Sequence, residues 1–554
     1  VVEQASVPSF DRGDALRRLA EDELDVLVVG GGITGTGVAL DAASRGLRTG
    51  LVERDDFASG TSSKSSKLIH GGIRYLQQRE VGLVYENLHE RQLALRNAPH
   101  LVRVMPFLIP ILTRDGLIDR RIARAMGLAM WMYDLTGGIR IRKIHKRIDR
   151  DAAVAHMPTL RRDNVASAYL YYDAQTDDAR LTLCIARTAA AHGAIVANRA
   201  AVTKLHKDDA GKIHRATVTA DGDDIEVRAK VIVNACGVWT DDVRALDEGE
   251  HPASIRPAKG VHITVPWTKV RNDIAAIVPV RKDRRSVFVV PWGDFTYIGT
   301  TDTDYDGPLD DPQCTPDDVA YLLGALNNAI VEPVTEADVV GTWAGLRPLL
   351  RSARSERTAD LSRRHDVLVS ESGVVTITGG KLTTYRRMAS DTVDRVQKVL
   401  GVRRTRSRTK RLLLLGAEGF SDPPDTNEPG VRDHLAARYG TEDDAVLALI
   451  HDDATLGEHL VPGLPYLRAE AVHAVRHEMA RSVDDVLSRR TRARLLAREA
   501  SAEAAEAVAE LIAPELGWTE ADTEREVKEY RASVAAERDA AGLPETALDA
   551  SLGA

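Results

Sequence analysis

Six consecutive residues near the amino end, Gly30-Gly31-Gly32-Ile33-Thr34-Gly35, satisfy the spacing GxGxxG. Gly30 permits a tight turn, Gly32 lets the backbone approach a pyrophosphate, and Gly35 allows close packing of a helix on a strand. A helix beginning here points free N–H groups and the positive end of its dipole at phosphate oxygens. Glu53 follows at the end of the next apolar run, where a carboxylate can accept hydrogen bonds from a ribose diol. Taken alone, GxGxxG also describes an ordinary structural glycine turn, and the strand–turn–helix context with Glu53 favours a dinucleotide site. A second polar stretch, Thr61-Ser62-Ser63-Lys64-Ser65-Ser66-Lys67-Leu68-Ile69-His70-Gly71-Gly72-Ile73-Arg74-Tyr75, offers hydroxyls and backbone amides to a phosphate chain. Its bland counterpart is a solvated serine-rich linker.

The elements that must position these groups are legible around them. Leu24–Val29 is a short apolar run ending in glycine, the mark of a buried parallel strand. The segment GVALDAASRG reads as a helix closed by Gly46, and LRTGLVE as the next strand, giving a right-handed βαβ unit. Further strands are expected at 194–198, 230–237, 262–266, 286–292, 295–302 and 374–380, with SVFVVPW and FTYIGT forming an antiparallel hairpin about a Gly-Asp turn. From about residue 427 the strand signals stop, and Ala, Glu, Arg and Leu recur at helical spacing as in a separate helical domain. The residues ahead of Leu24 are expected to form a poorly ordered arm.

Composition narrows the function classes. A 554-residue chain exceeds a single simple core, and 44% hydrophobic with 28% charged residues describes an ordinary folded protein. A net charge of −8 gives no support to nucleic acid as a partner. The cysteines Cys184, Cys236 and Cys314 are far apart with no CxxC pair, which argues against disulfide or zinc frameworks and for a reducing, cytoplasmic compartment. No metal site is expected. The polar, acidic first residues do not look like a secretory leader, and no run reaches the roughly 18 apolar residues of a membrane span.

The stretch TSSKSSKLIHGGIRYL resembles the signature of FAD-dependent, respiratory glycerol-3-phosphate dehydrogenases. Matching stretches follow in order: DDARL (177–181), NACGVWTD (234–241), KGVHITVP (259–266), FVVPWGDFTYIGTTD (288–302), GLRPLL (345–350), GGKLTTYR (379–386) and VDDVLSRRTR (483–492). The resemblance spans roughly residues 24 to 500. It implies an α/β fold with a Rossmann-like FAD-binding domain of the glycine and D-amino-acid oxidase type, an antiparallel-sheet substrate domain and a C-terminal helical domain. The expected divisions are 24–80, 165–245 and 345–400 for FAD binding, 81–164 and 246–344 for the substrate cap, and 401–550 for the helical domain. Cys236 departs from the family pattern of a small residue or threonine. Some relatives attach flavin through a later cysteine, and none lies beyond Cys314, so FAD is expected to be held non-covalently.

The resemblance also assigns roles. Arg347, Arg74 with Tyr75, and Lys381 are the expected substrate-phosphate cluster, with Arg363 a weaker member; without relatives, each would read as an ion-pair or surface residue. His262 is the expected base for the hydroxyl proton, His70 the runner-up, and Lys381 an added stabiliser of developing alkoxide. FAD contacts are expected from Gly30, Gly32, Thr34, Gly35, Glu53, Thr61, Ser62, Ser63, Lys67, Leu68, Ile69, His70 and Gly71 on the amino side. Ala235, Gly237, Trp239, Gly345, Gly379, Gly380, Leu382 and Thr383 are expected to complete them. The implied reaction is oxidation of sn-glycerol-3-phosphate to dihydroxyacetone phosphate, with electrons passed to membrane quinone by an enzyme held peripherally on the inner face of the plasma membrane. Residues 118–135, with Arg beside Met and Trp, and the basic run 140–150 are the docking candidates; a core helix followed by a solvated loop is the competing description. Oligomeric state stays open, a homodimer included. Competing activities are an oxidase using oxygen, an amine or amino-acid oxidase of the same fold, and a catalytically idle flavoprotein.

Overall fold

The computed structural model describes residues 10–72, 80–112, 127, 130–138, 141, 143–249, 253–280, 285–351, 365–421 and 430–546. Its first strand, Glu23–Val29, buries Val26, Leu27 and Val28 completely, as an apolar run without alternation requires. It pairs in parallel with Thr49–Val52 on one side and Asp223–Asn234 on the other. The sheet order is Asp366–Val369, Val375–Thr378, Asp223–Asn234, Glu23–Val29, Thr49–Val52, Ile195–Ala197, with Ala200–Lys207 and Ile213–Ala220 added as an antiparallel extension. Helices Ile33–Ser44, Asp178–Ala191 and Tyr385–Val399 cover one face and share its core with Val28, Val38, Ile185 and Val393. Gly46 closes the first of these at φ 87°.

A second sheet, ten strands among the described residues, runs Thr303–Asp304, Ile255–Pro266, Phe295–Gly299, Ser286–Trp292, Ala275–Pro279, Val102–Leu112, Val165–Thr176, Leu68–Ile69, with Gly341–Leu350 and Lys146–Asp149 on side branches. The hairpin expected at residues 286–299 is present, its turn carried by Gly293 at φ 57°. Val165–Thr176 was expected in the FAD-binding part but pairs along its length with Val102–Leu112, because its aromatic face packs Tyr171 on Phe107. Residues 345–350 likewise pair with Ile255–Pro266.

The amino-terminal arm is not a loose tail over its described part. Arg12–Glu21 is a helix capped by Asp11; Arg12 is buried and donates to the Asn198 carbonyl and to Asp221, and Phe10 lies 5.7 Å from Phe57. The carboxyl-terminal part is helical as expected, with Arg468–Glu478, Ala505–Leu516 and Glu520–Ala540 among its longer helices. Its core takes in Phe295 of the second sheet and Val340, the residue ahead of strand Gly341–Leu350. Among the described residues no helix is long and apolar enough to cross a membrane, and no group of three or more His, Cys, Asp or Glu could hold a metal.

Candidate functional site

The glycine turn joins strand Glu23–Val29 to helix Ile33–Ser44, and its geometry explains each glycine. Gly30 sits at φ 109°, and a Cβ there would lie 2.8 Å from the Ala235 carbonyl oxygen. A Cβ on Gly35 would fall 1.9 Å from the Gly30 oxygen, so helix and turn close on each other only with glycine there. Ser62 Oγ accepts from the Ile33 N–H at 2.9 Å, tying the serine loop to the first turn of the helix. Glu53 accepts from the N–H of Gly31 at 2.6 Å and of Asp55 at 2.8 Å, and burial pushes its carboxyl up to about 7. Hydroxyl donors from a ribose would complete that carboxylate's coordination. The arrangement fits a dinucleotide laid across the strand ends.

A cavity of about 1440 Å³ opens from this turn to the second sheet. Gly30, Gly32, Thr34 and Glu53 line one end, with Thr61, Ser62, Leu68 and His70 along one wall. Ala235, Gly237 and Trp239 line another wall, and Gly345, Gly379, Gly380, Leu382 and Thr383 border the middle. Gly379 and Gly380 are at φ 74° and 83°, a pair of left-handed residues that turns the chain into the Leu382–Thr384 helical turn and the helix Tyr385–Val399. Thr383 Oγ1 accepts from the His70 N–H at 3.1 Å, so the serine–glycine loop and the GGKLTT segment form one continuous wall.

His262, Arg347 and Lys381 all line the cavity. His262 is buried on strand Ile255–Pro266, its Nε2 2.9 Å from Ser66 Oγ and its ring stacked on Trp343 at 4.7 Å between centroids. Burial, with Lys67 and Arg347 nearby, holds its pKa well below the usual imidazole value, so the ring is neutral at neutral pH. Arg347 donates to Thr300 Oγ1 at 3.1 Å and to Asp302 at 3.2 Å, bonds that fix the guanidinium plane. Arg285, which the sequence reading passed over, lines the same cavity and donates to the Asp302 carbonyl at 2.8 Å. Its only signal was the RR pair just ahead of the SVFVVPW strand.

Several expected residues serve elsewhere. Lys67 does not line the cavity; it is buried behind the loop, donating to Asp178 at 3.0 Å and to the Ser63 carbonyl at 2.9 Å. Ser63 and Ile69 also lie outside the lining, and Gly71 packs against Leu88 and Tyr133. Gly35 acts through packing of the turn. Arg74, Tyr75 and Arg363 lie outside the described residues. Cys236 is half-buried beside the glycine turn, donating to the Val29 carbonyl at 3.3 Å, and burial pushes its thiol up and keeps it protonated.

Comparison with known proteins agrees with this geometry. Residues 25–386 match the family model described as FAD dependent oxidoreductase, and residues 407–523 match that for the C-terminal domain of alpha-glycerophosphate oxidase. The chain is 41% identical over 544 residues to glycerol-3-phosphate dehydrogenase 2 of Mycobacterium tuberculosis, covering 96% of this chain and 92% of that one. It is 37% identical to the human mitochondrial glycerol-3-phosphate dehydrogenase, covering 92% and 73%. The crystal structure of glycerol-3-phosphate dehydrogenase from Bacillus halodurans complexed with FAD superposes with a TM-score of 0.77 at 32% identity, covering 97% of this chain and 99% of that one. The glycine oxidase of Geobacillus kaustophilus shares the fold at a TM-score of 0.50 and 18% identity. FAD is thus the cofactor that the glycine turn and its facing walls are built to hold, and the chain belongs to the FAD-dependent glycerol-3-phosphate dehydrogenase family.

Proposed function

We propose that the chain oxidises the C2 hydroxyl of sn-glycerol-3-phosphate, yielding dihydroxyacetone phosphate, and passes the electrons to a membrane quinone. The observation that carries the reading is the convergence of Arg285, Arg347, Lys381 and neutral His262 on one cavity with the dinucleotide cradle. The arginines and lysine meet the substrate phosphate, the forked arginines by paired charge-assisted hydrogen bonds. That anchors the polyol so that C2 and its hydroxyl face the flavin site. His262 accepts the hydroxyl proton, and Lys381 steadies negative charge on the oxygen as the proton leaves. FAD, held without a covalent bond, supplies the hydride acceptor. Arg74, Tyr75 and Arg363 remain in the proposal as further substrate contacts.

Quinone as acceptor is supported by the apolar lining of the cavity, which includes Ile109, Tyr171, Ile277 and Phe288 of the second sheet and Leu83 of the helix Val81–Asn97. Peripheral attachment to the inner face of the plasma membrane is supported by Tyr85, Trp131, Leu135 and Ile144, large apolar side chains that stay exposed. Met130 and Tyr133 of the same segment are buried, so the segment is partly core and partly surface. Lys143, Lys146 and Arg147 are exposed beside it, cations that anionic lipid would attract. A second reading, oxygen as acceptor, is favoured by the match of residues 407–523 to a glycerophosphate oxidase domain.

The test is anaerobic addition of sn-glycerol-3-phosphate to the purified flavoprotein. Bleaching of the flavin band is expected, followed by re-oxidation by a quinone carried in anionic vesicles faster than by oxygen. A flavin that stays oxidised overturns the substrate assignment; stoichiometric peroxide with a slow quinone reaction replaces the dehydrogenase by the oxidase.

A further inference from the structure

Behind the loop that forms one wall of the site lies a set of buried charges, Lys67, Asp178 and Arg492, none of them lining the cavity. Asp178, the first residue of helix Asp178–Ala191, is fully buried. Its Oδ1 accepts from Lys67 Nζ at 3.0 Å and from Arg492 Nη2 at 2.5 Å. Its Oδ2 accepts from the N–H and hydroxyl of Ser65 at 3.0 and 2.6 Å. Arg492, itself buried, comes from the C-terminal helical domain and also donates to the Ser63 carbonyl at 2.7 Å. The loop between is pinned from the opposite side by Trp343 Nε1 on the Ser65 carbonyl at 3.1 Å and by the Tyr297 hydroxyl on the Ser66 carbonyl at 2.9 Å. The loop ends at Lys67 with φ 56°, a left-handed conformation that a non-glycine residue holds only where its surroundings enforce it.

Within this loop Ser66 places its hydroxyl 2.9 Å from His262 Nε2. That hydroxyl selects the tautomer and tilt of the imidazole, and its position depends on where Asp178 holds Ser65 and Lys67. Asp178 in turn needs two cations, since a buried carboxylate short of partners pulls its surroundings toward whatever donors remain. We infer that Arg492 is a positioning residue for the oxidation site, acting through Asp178 and the Ser63–Lys67 loop to set the Ser66–His262 hydrogen bond. The helical domain thereby completes the site without lining it. A neighbouring arginine repeats the pattern, for Arg490 grips buried Asp56 with both terminal nitrogens, at 2.6 and 2.8 Å, three residues beyond Glu53.

The inference rests on the proposed reaction at His262, and the experiment separates the two. FAD reduction by saturating sn-glycerol-3-phosphate is followed anaerobically in holoenzyme of verified flavin content, for the wild type, Arg492→Met, Arg492→Lys, Ser66→Ala and the double variant Arg492→Met/Ser66→Ala. Misplacement of a reacting group makes Arg492→Met slower by roughly tenfold or more with KM changed by less than about threefold. Arg492→Lys, which keeps a cation for Asp178, returns to within about threefold of the wild type. In the Ser66→Ala background the effect of Arg492→Met shrinks to less than about threefold, because the two residues act in series. An equal slowing in both backgrounds, or none in either, overturns the inference. Should Arg492→Met yield no holoenzyme, Arg492→Gln takes its place in the cycle with the same two outcomes. Failure of the wild-type flavin to bleach overturns the functional reading instead.

Discussion

His262 carries the heaviest chemical assignment, and its surroundings make a specific demand on it. Burial comes first among the causes that hold its pKa down, followed by Lys67 and Arg347. A base must be neutral to accept a proton, so acid inactivates it only once the ring is protonated. With the pKa well below 6.5 that loss is displaced to low pH, and flavin reduction is expected to stay level between about pH 6 and 8. An acid limb near 6.5 would show an imidazole in ordinary surroundings. His262→Asn removes the basic ring nitrogen while keeping a polar side chain, and slows flavin reduction by roughly 10²- to 10⁴-fold. Stopped-flow reduction across pH reads both. A variant that retains full speed would pass the role to another group in the cavity, Lys381 or His70.

At the scale of elements, the glycine turn makes the sharpest demand. With the Gly30 oxygen 1.9 Å from where a Gly35 Cβ would sit, Gly35→Ala must push helix Ile33–Ser44 away from its strand. Overpacking of this kind costs about 1–3 kcal/mol, roughly 5- to 150-fold in FAD affinity if the strain is relieved by opening the cradle. Flavin titration of the apoprotein measures it, and an unchanged affinity would mean the turn does not set the cradle. This element was legible in the sequence because one βαβ unit contains its parts within 30 residues, Leu24 to Glu53, apart from the wall supplied by Ala235. The 286–299 hairpin was legible for the same local reason, alternation about a Gly-Asp turn. The serine loop was half legible: Thr61, Ser62, Leu68 and His70 line the cavity as read, whereas Lys67 turns away because Asp178, 111 positions later, waits behind it. Arg492 meets the same carboxylate from 314 positions away, a pairing that no local pattern announces. Val165–Thr176 pairs with Val102–Leu112, a choice of sheet that a partner strand makes and the segment's own alternation does not announce.

Across the whole molecule, buried titratable groups tie stability to pH. His100 and His473 are both pushed down to about 3, in each case first by burial, and His262 is also far below its ordinary value. All three are neutral in the fold and take up a proton on unfolding once the pH is below about 6.5, so acid favours the unfolded chain. Each costs about 1.4 kcal/mol for each pH unit below 6.5, or roughly 4 kcal/mol together at pH 5.5. A second loss begins lower. Burial alone would raise Glu470, but His434 and Arg438 hold it at about 2, and Glu478 is held well below its ordinary value despite burial by Arg180. These carboxylates contribute stability above about pH 4.5 that disappears as they are protonated. The expected result, with FAD in excess, is a melting temperature that falls by roughly 3–4 °C from pH 7.5 to 5.5 and then more steeply below about pH 4.5. Replacing both His100 and His473 by glutamine, which cannot take a proton, should flatten the upper range and leave the lower fall in place. A double variant that keeps the full slope above pH 5.5 would show that other groups take up the protons there, and that the buried histidines are not what makes the fold sensitive to mild acid.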